Sequence, residues 1–390
     1  MAKSIYIGIN GVAKKAKKAY IGVNGVAKKI KKAYIGVNGV AKLFYILSGS
    51  YDVLTSGLST GRANAKAVAL DNYVLFAGGS SNRSSGASAV VDAYDKSLTR
   101  VSINPLSQAR TNLASARVGD YALFAGGNNA TTTTSYNITD AYSSSLVRST
   151  ATPLYRARGN LAAATVGSRA LFAGGVYISQ QNETTRDNVV DVYTSSLSRS
   201  ETFMSVGKSH VGGTTLGDRA LFAGGIIYTG FTTELLEAFN SSLGRQQVKL
   251  GHIISRVAAA ATSTYALFAG GIYSGASAFN RVTMCNTSLS ITVADPLTNS
   301  TTGSAATTLN DNILIAGGGL GTATNTTYYD TIECYDANMT KVSIEDKLSS
   351  ARQEVEGVTF AGHALFAGGF GYDTATSSSN VGQKTIDIFI

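Results

Sequence analysis

Leu75-Phe76-Ala77-Gly78-Gly79 is the stretch on which the fold turns. The same five residues return at 123–127, 171–175, 221–225, 267–271 and 365–369, and a variant, Leu314-Ile315-Ala316-Gly317-Gly318, fills the remaining place. The first glycines lie 48, 48, 50, 46, 47 and 51 residues apart. An apolar run ending in Gly-Gly reads as a strand that stops where the backbone needs positive φ or close approach. Seven copies at a period near 50 mean a repeat architecture, and the repeat unit has to be read before any single element.

Other features keep step with the glycines. An acid stands two residues before an aromatic in Asp92/Tyr94, Asp140/Tyr142, Asp191/Tyr193, Glu237/Phe239, Glu333/Tyr335 and Asp387/Phe389, while the fifth copy has Thr283/Cys285. A base recurs sixteen residues before the first Gly at Arg62, Arg110, Arg158, Lys208 and Arg352. All three prolines fall at one repeat position, in Pro105-Leu106, Pro153-Leu154 and Pro296-Leu297. Each unit divides into four short strands, as in 160–166, 169–173, 189–193 and 199–204 of the third. Four strands per unit predict propeller blades. The first strand of each unit is built from Ala, Gly, Ser and Thr (112–116, 161–165, 212–215, 258–262, 304–308), which suits crowding at an axis. The last unit ends on a third strand at 386–390, whereas residues 51–55 align with a fourth strand and have no partners before them. The N-terminal segment is therefore expected to complete the C-terminal blade and leave no open edge.

This motif set resembles kelch repeats over residues 46–390, although kelch units usually carry a Trp in the fourth strand and this chain has none. The fold expected is all-β: a seven-bladed kelch-like propeller closed by an N-terminal strand, with a small β-hairpin arm in front of it. A shorter repeat fills residues 1–45, where Tyr6-Ile7-Gly8-Ile9-Asn10-Gly11-Val12-Ala13-Lys14-Lys15 recurs with period 14 from Tyr20 through Lys28-Lys29 and again from Tyr34. Asn-Gly between β-favouring residues is the signature of a two-residue hairpin turn. The expectation is a small β-meander with lysines at its return bends, against a competing short helix over 13–19. The arm resembles repeats at the N-termini of tail proteins in phages and prophages of Gram-positive bacteria. Tyr6, Tyr20, Tyr34, Lys14, Lys15, Lys28 and Lys29 are its candidate attachment residues.

Composition narrows the function. The 390 residues are 15% charged, against about 25% in ordinary soluble domains. The net charge of +9 belongs to the arm, whose first 45 residues hold ten lysines and no acid. The remaining 345 hold 23 bases and 24 acids, which excludes a basic body that coats nucleic acid. The chain has no run of 18 apolar residues and no secretory signal, so neither a membrane span nor export is expected. Cys285 and Cys334 read as reduced core thiols, which fits a cytoplasm. The Asn-x-Ser/Thr triplets at Asn137, Asn182, Asn240 and Asn286 then read as turn chemistry.

Catalytic signals are weak. His210, His252 and His363 occupy different repeat positions with no metal-ligand spacing. Gly57-Leu58-Ser59-Thr60-Gly61 has the nucleophile-elbow pattern but lacks its strand–turn–helix context. Gly317-Gly318-Gly319-Leu320-Gly321 opens no helix that could cradle phosphate. The recurring acids Asp92, Asp140, Asp191, Glu237, Glu333 and Asp387 are expected to pair with Arg62, Arg110, Arg158 and their equivalents in the same or the next blade, as a structural ring. Glu354 and Glu356, with Lys66 and Arg117, are expected at a polar channel mouth. No enzyme, metal or cofactor is expected.

What remains is a binding surface. The loops between second and third strands (80–89, 128–138, 176–188, 226–234, 272–280, 319–330, 370–384) vary most and are rich in Ser, Thr, Asn and Gly. Tyr177, Tyr228, Tyr273, Tyr328, Tyr329 and Tyr372 lie in them, a composition suited to recognition; packing of these rings over the blade edge is the alternative. The arm lysines suit an acidic protein partner, a polyanion or plain solvation. The function expected is a non-enzymatic phage or prophage tail or baseplate protein, present in multiple copies per particle and assembled in the bacterial cytoplasm. Its propeller would bind a cell-surface glycan or protein, and residues 1–45 would bind other tail proteins. A purely structural tail subunit is the alternative, followed by an enzyme acting on surface glycan.

Overall fold

The computed structural model describes residues 51–390 except 84–85, 131–133, 179–183, 228–230, 274–277, 322–325 and 374–377, together with the backbone of six strands before residue 47. Among the described residues there is no helix. The chain is all-β and propeller-like, built from small antiparallel sheets of four strands, and seven such sheets occur among the described residues.

Six of them follow chain order. The second, for example, joins Ala114–Val118, Tyr121–Ala125, Thr139–Ser143 and Arg148–Thr150. In the seventh, Glu356–Phe360, His363–Ala367 and Ile386–Phe389 are joined at the outer edge by Asp52–Val53, with Asp387 opposite Val53 and Ile388 opposite Asp52. Tyr51 strengthens this junction: its hydroxyl donates to Asp387 Oδ1 at 2.6 Å and its ring lies 5.4 Å from that of Phe389.

The Leu-Phe-Ala-Gly-Gly motif forms the second strand and its end. Phe and Leu alternate faces, so five of the six Phe meet the aromatic of their own third strand edge-on, as Phe124 meets Tyr142 at 6.0 Å and 79°, while the fifth unit has Cys285 in the aromatic place. Such pairs contribute about 0.5–1.5 kcal/mol beyond area burial. The space between neighbouring sheets is filled from both sides: Leu123 and Ala141 of the second sheet pack with Phe172 and Tyr193 of the third. Phe76 and Tyr94 of the first sheet pack likewise with Leu365 and Ile388 of the seventh. The paired glycines take left-handed φ, and a Cβ on Gly174 would lie 2.2 Å from the carbonyl oxygen of Lys208.

First strands neighbour one another in chain order, and Glu356–Phe360 neighbours Lys66–Ala69. Their hydroxyls explain the Ser/Thr composition. Ser115 Oγ donates to the Ala67 carbonyl at 2.9 Å, Thr165 to Arg117 at 2.9 Å, Thr215 to Thr165 at 2.6 Å and Thr308 to Ala261 at 2.7 Å. Small residues let these strands approach, and their hydroxyls then tie them together.

Before residue 47 the backbone forms three two-stranded ladders: Tyr6–Ile9 with Val12–Lys15, Tyr20–Val23 with Val26–Lys29, and Lys32–Val37 with Val40–Ile46. Pairing of Ile9 with Val12, Val23 with Val26 and Val37 with Val40 leaves two-residue connections, as Asn-Gly requires. Two expectations are corrected. Among the described residues the ladders are two-stranded hairpins, with no pairing that joins them into one meander. Lys14, Lys15, Lys28 and Lys29 lie within strands, opposite Ile7, Tyr6, Ile21 and Tyr20, not at return bends. Tyr34 pairs with Leu43.

Candidate functional site

The recurring charges come first, because they hold the surface that could bind anything. Arg62 meets Asp92 at 2.8 Å, Arg110 meets Asp140 at 2.7 Å, Arg158 meets Asp191 at 2.5 Å and Lys208 meets Glu237 at 3.2 Å. Arg352 pairs with Asp387. Every pair is internal to one repeat, which resolves the choice between same and next unit. All these side chains are 0–2% exposed. Burial pulls Arg110, Lys208 and Arg352 below their usual basicity, opposed by the facing carboxylates.

Each arginine also donates to the carbonyl of the second-strand Phe, as Arg110 does to Phe124 at 2.9 Å. Each acid accepts a backbone N–H from the segment entering its own sheet: Ser59 to Asp92, Ser107 to Asp140, Tyr155 to Asp191, Ser205 to Glu237, Thr298 to Glu333 and Ser349 to Asp387. The pair therefore clamps the connection between consecutive sheets. These acids act in the framework and present no carboxylate for chemistry.

A second base was missed. Eight residues after the acid stand Arg100, Arg148, Arg199, Arg245 and Lys341, each within 4.0 Å of it or closer. Fixed spacing from the acid was the available signal. In the seventh sheet Tyr51, from the closing segment, takes this role. The fifth unit has Ile254, Thr283 and Ile291 at the three positions, so base, acid and second base are absent together. The sixth has Thr301 in place of the first base, and Glu333 relies on Lys341.

Two residues beyond the buried base lies another repeated feature: Asn64, Asn112, Asn160, His210, Arg256, Gly303 and Glu354 all have left-handed φ between 50° and 68°. Backbone bonds connect them in succession, from Asn160 N to Asn112 O (2.9 Å), His210 N to Asn160 O (3.0 Å), Arg256 N to His210 O (2.9 Å) and Glu354 N to Gly303 O (2.6 Å). Asn64 N in turn donates to Glu354 O at 3.2 Å. These residues rim a cavity of about 710 Å³ between the first strands. Below the rim one row of its wall is small and uncharged (Ala67, Ser115, Ala163, Gly213, Ala259, Ala306 and Gly357), while Lys66 and Glu356 bring charge into the row above it.

Charge is uneven around the mouth. Lys66 pairs with Glu356 at 3.0 Å, and that carboxylate raises the Lys66 pKa. Burial, with the nearby Arg256 and Arg186 guanidinium groups, pushes His210 down to about 3, so its imidazole is neutral at ordinary pH. Glu354, Glu356 and Lys66 are at the cavity as expected, but Arg117 is not. It pairs with Asp71 at 2.7 Å, beside the turn at the opposite end of the first strands, because its place on the strand is three residues further along than that of Lys66.

The long loops leave the sheets at the mouth end, since second strands end where first strands begin (Lys66 opposite Ala77, Ala114 opposite Ala125). Each is stitched to the residue after the first-base position, through Ala63–Ser80, Thr111–Asn128, Gly159–Val176, Ser209–Ile226, Ser255–Ile272, Thr302–Gly319 and Gln353–Phe370. The first and seventh loops join through Asn82–Val381 and Gly382 N to Ser81 O at 2.8 Å, and Arg83 reaches Asn380. Tyr328 donates to Asn380 Oδ1 at 2.9 Å, which brings in the sixth loop.

The tyrosines serve different purposes. Tyr177 lies under the Arg156 guanidinium, which is 5.0 Å from its ring and 5.1 Å from that of Tyr155. Tyr155 is 49% exposed and was not foreseen. Tyr273 packs at 5.6 Å on Phe279, Tyr372 is 55% exposed, and Tyr329 is half-buried with its backbone N–H on Gly318 O. Tyr228 lies outside the described residues. Among the described residues no two of these loop rings touch, so they do not form a single aromatic platform.

Neither a protein-family model nor a curated protein matches the sequence. Among solved structures the chain is similar to that of YjhT, with a TM-score of 0.57 and 14% identity, over 72% of this chain and 95% of that one. At that identity the likeness bears on the fold alone.

Proposed function

We propose that residues 46–390 are a closed, seven-bladed kelch-like propeller acting as the recognition module of a phage or prophage tail or baseplate. In this reading the loop end meets a bacterial surface receptor, no reaction is catalysed, and the three-hairpin arm of residues 1–45 tethers the protein to other tail components. The pairing of Asp52–Val53 with Ile386–Phe389 supports closure. The observation that carries recognition is the collection of variable loops at one end of a framework clamped by buried ion pairs. Rigid scaffolds with variable loops are where binding residues concentrate. Exposed Tyr155, Phe231, Tyr273 and Tyr372, together with Arg156, give that end apolar area beside positive charge.

The test uses the full chain, fluorescently labelled, on Gram-positive cells and on purified wall polymers. Saturable binding that is lost in a Tyr273→Ala/Tyr372→Ala variant with unchanged circular dichroism supports the reading. Absence of binding across a panel of cells, together with a particle structure in which another virion protein covers the loop end, would replace it with a purely structural subunit.

A further inference from the structure

The rim of the cavity departs from its own local rule. Left-handed φ is favourable for Gly and tolerable for Asn, and costs other residues about 1–2 kcal/mol. Asn64, Asn112, Asn160 and Gly303 obey; His210, Arg256 and Glu354 do not. Strained positions of this kind, kept where a permissive residue would fold as well, gather at ligand clamps.

The charges those departures introduce form no ion pair with the framework, although Glu354 helps to raise the Lys66 pKa. Glu356 has Lys66, but Arg256 is exposed and Glu354 half-buried, and neither forms an ion pair among the described residues. They flank Gly303 on the rim, one unit to either side of it. Gly303 makes room for the Glu354 side chain itself: a Cβ there would lie 3.1 Å from the carboxylate carbon, so the acid lies against Gly303. Neutral His210 adds no second cation beside Arg256. A simple anion at Arg256 would meet the field of Glu354, and a simple cation at Glu354 that of Arg256. A molecule carrying both signs answers both.

We propose that the axial cavity binds a small zwitterion, its anionic group received by Arg256 and its cationic group by Glu354, with the body of the ligand between them at the cavity mouth. This is independent of the surface-attachment reading, because it needs neither the arm nor the exposed loop tyrosines.

The experiment titrates the full chain with linear ω-amino acids, from glycine through γ-aminobutyrate and ε-aminocaproate to ω-aminocaprylate. It is read by calorimetry and by the His210 imidazole proton signals. Binding should peak at one chain length and shift those signals. Both the N-acetyl and the carboxamide forms of that member should bind at least about tenfold more weakly, the loss expected for one charge-assisted contact. Arg256→Asn and Glu354→Asn each place at the rim a residue that three other units already use, so they should fold and lose binding to the same degree. No binding by any member, equal binding of the blocked forms, or undiminished binding by both variants overturns the proposal. Loss of surface attachment with zwitterion binding intact would bear on the recognition reading and leave this one standing.

Discussion

Removing Asp140 should cost far more than removing the whole charged set around it. Arg110 is fully buried, and its Nη2 is held by Asp140 at 2.7 Å and the Phe124 carbonyl at 2.9 Å. Asp140→Ala leaves that guanidinium charge without a counter-ion and deprives the Ser107 N–H of its acceptor. Breaking a buried pair from one side costs about 3–5 kcal/mol. The fifth unit shows what the fold accepts instead, with Ile254, Thr283 and Ile291 at the equivalent places. The triple variant Arg110→Ile/Asp140→Thr/Arg148→Ile copies that unit and should fall within about 1 kcal/mol of the parent, since apolar replacement of a buried pair is often neutral. Equilibrium urea unfolding provides the assay, followed by far-ultraviolet circular dichroism and by tyrosine fluorescence, which no Trp obscures. If Asp140→Ala is as stable as the parent, or the triple variant is no better than the single, the clamp account of these pairs fails.

Two further outcomes follow from the same contacts. Burial and the bond to Asp387 push Tyr51 up to about 12, and burial also raises Tyr94, Tyr142, Tyr193 and Tyr335 above the ordinary 10.0. Because the folded state holds these protons more tightly, their contribution is complete below pH 10 and declines as pH rises above it, through about 12 for Tyr51. Phenolate absorbance of the native protein should lag that of the unfolded chain, and coincident curves would contradict the burial described. Deletion of residues 1–49 keeps Tyr51 and Asp52–Val53 and should leave the melting temperature unchanged. Deletion of residues 1–55 bares the edge of Ile386–Phe389 and should lower it and promote association. Identical melting and elution of the two truncations would show that the terminal strand contributes nothing.

Spacing along the chain disclosed the sheet pattern because each repeat spends its residues on local tasks. Phe and Leu alternate on the second strand, Gly-Gly ends it, and Ser or Thr ties one first strand to the next. Those tasks need particular residue types at particular intervals, so the terminal strand was legible as the missing fourth partner of residues 386–390. The second base was not read, although its interval of eight is as regular, because Arg and Lys on an outer strand look like solvated surface. Arg117 was misplaced for a different reason. It lies near the end of the inner strand Ala114–Val118, and which end of that strand faces the cavity is settled only by register, so it pairs with Asp71 instead. The tyrosine face dissolved into separate contacts because loops carry no periodicity. Whether Tyr177 meets Arg156, or Tyr328 meets Asn380, depends on a neighbouring repeat. The left-handed rim was equally hidden, since Asn, His, Arg and Glu share no chemistry that would align them; only the backbone unites them.

The entry of the chain at Asp52–Val53 also has a mechanical meaning. Asp52–Val53, the first described strand after the arm in the chain, is the one that fastens the last sheet, so traction from the N-terminal side falls on two residue pairs and the Tyr51 hydroxyl. A tug there tests the fastening first, while the other six sheets, whose strands are consecutive, are spared. Load applied ahead of residue 51 and the integrity of the last sheet are thus joined in series, and the load must not exceed what that short strand can hold.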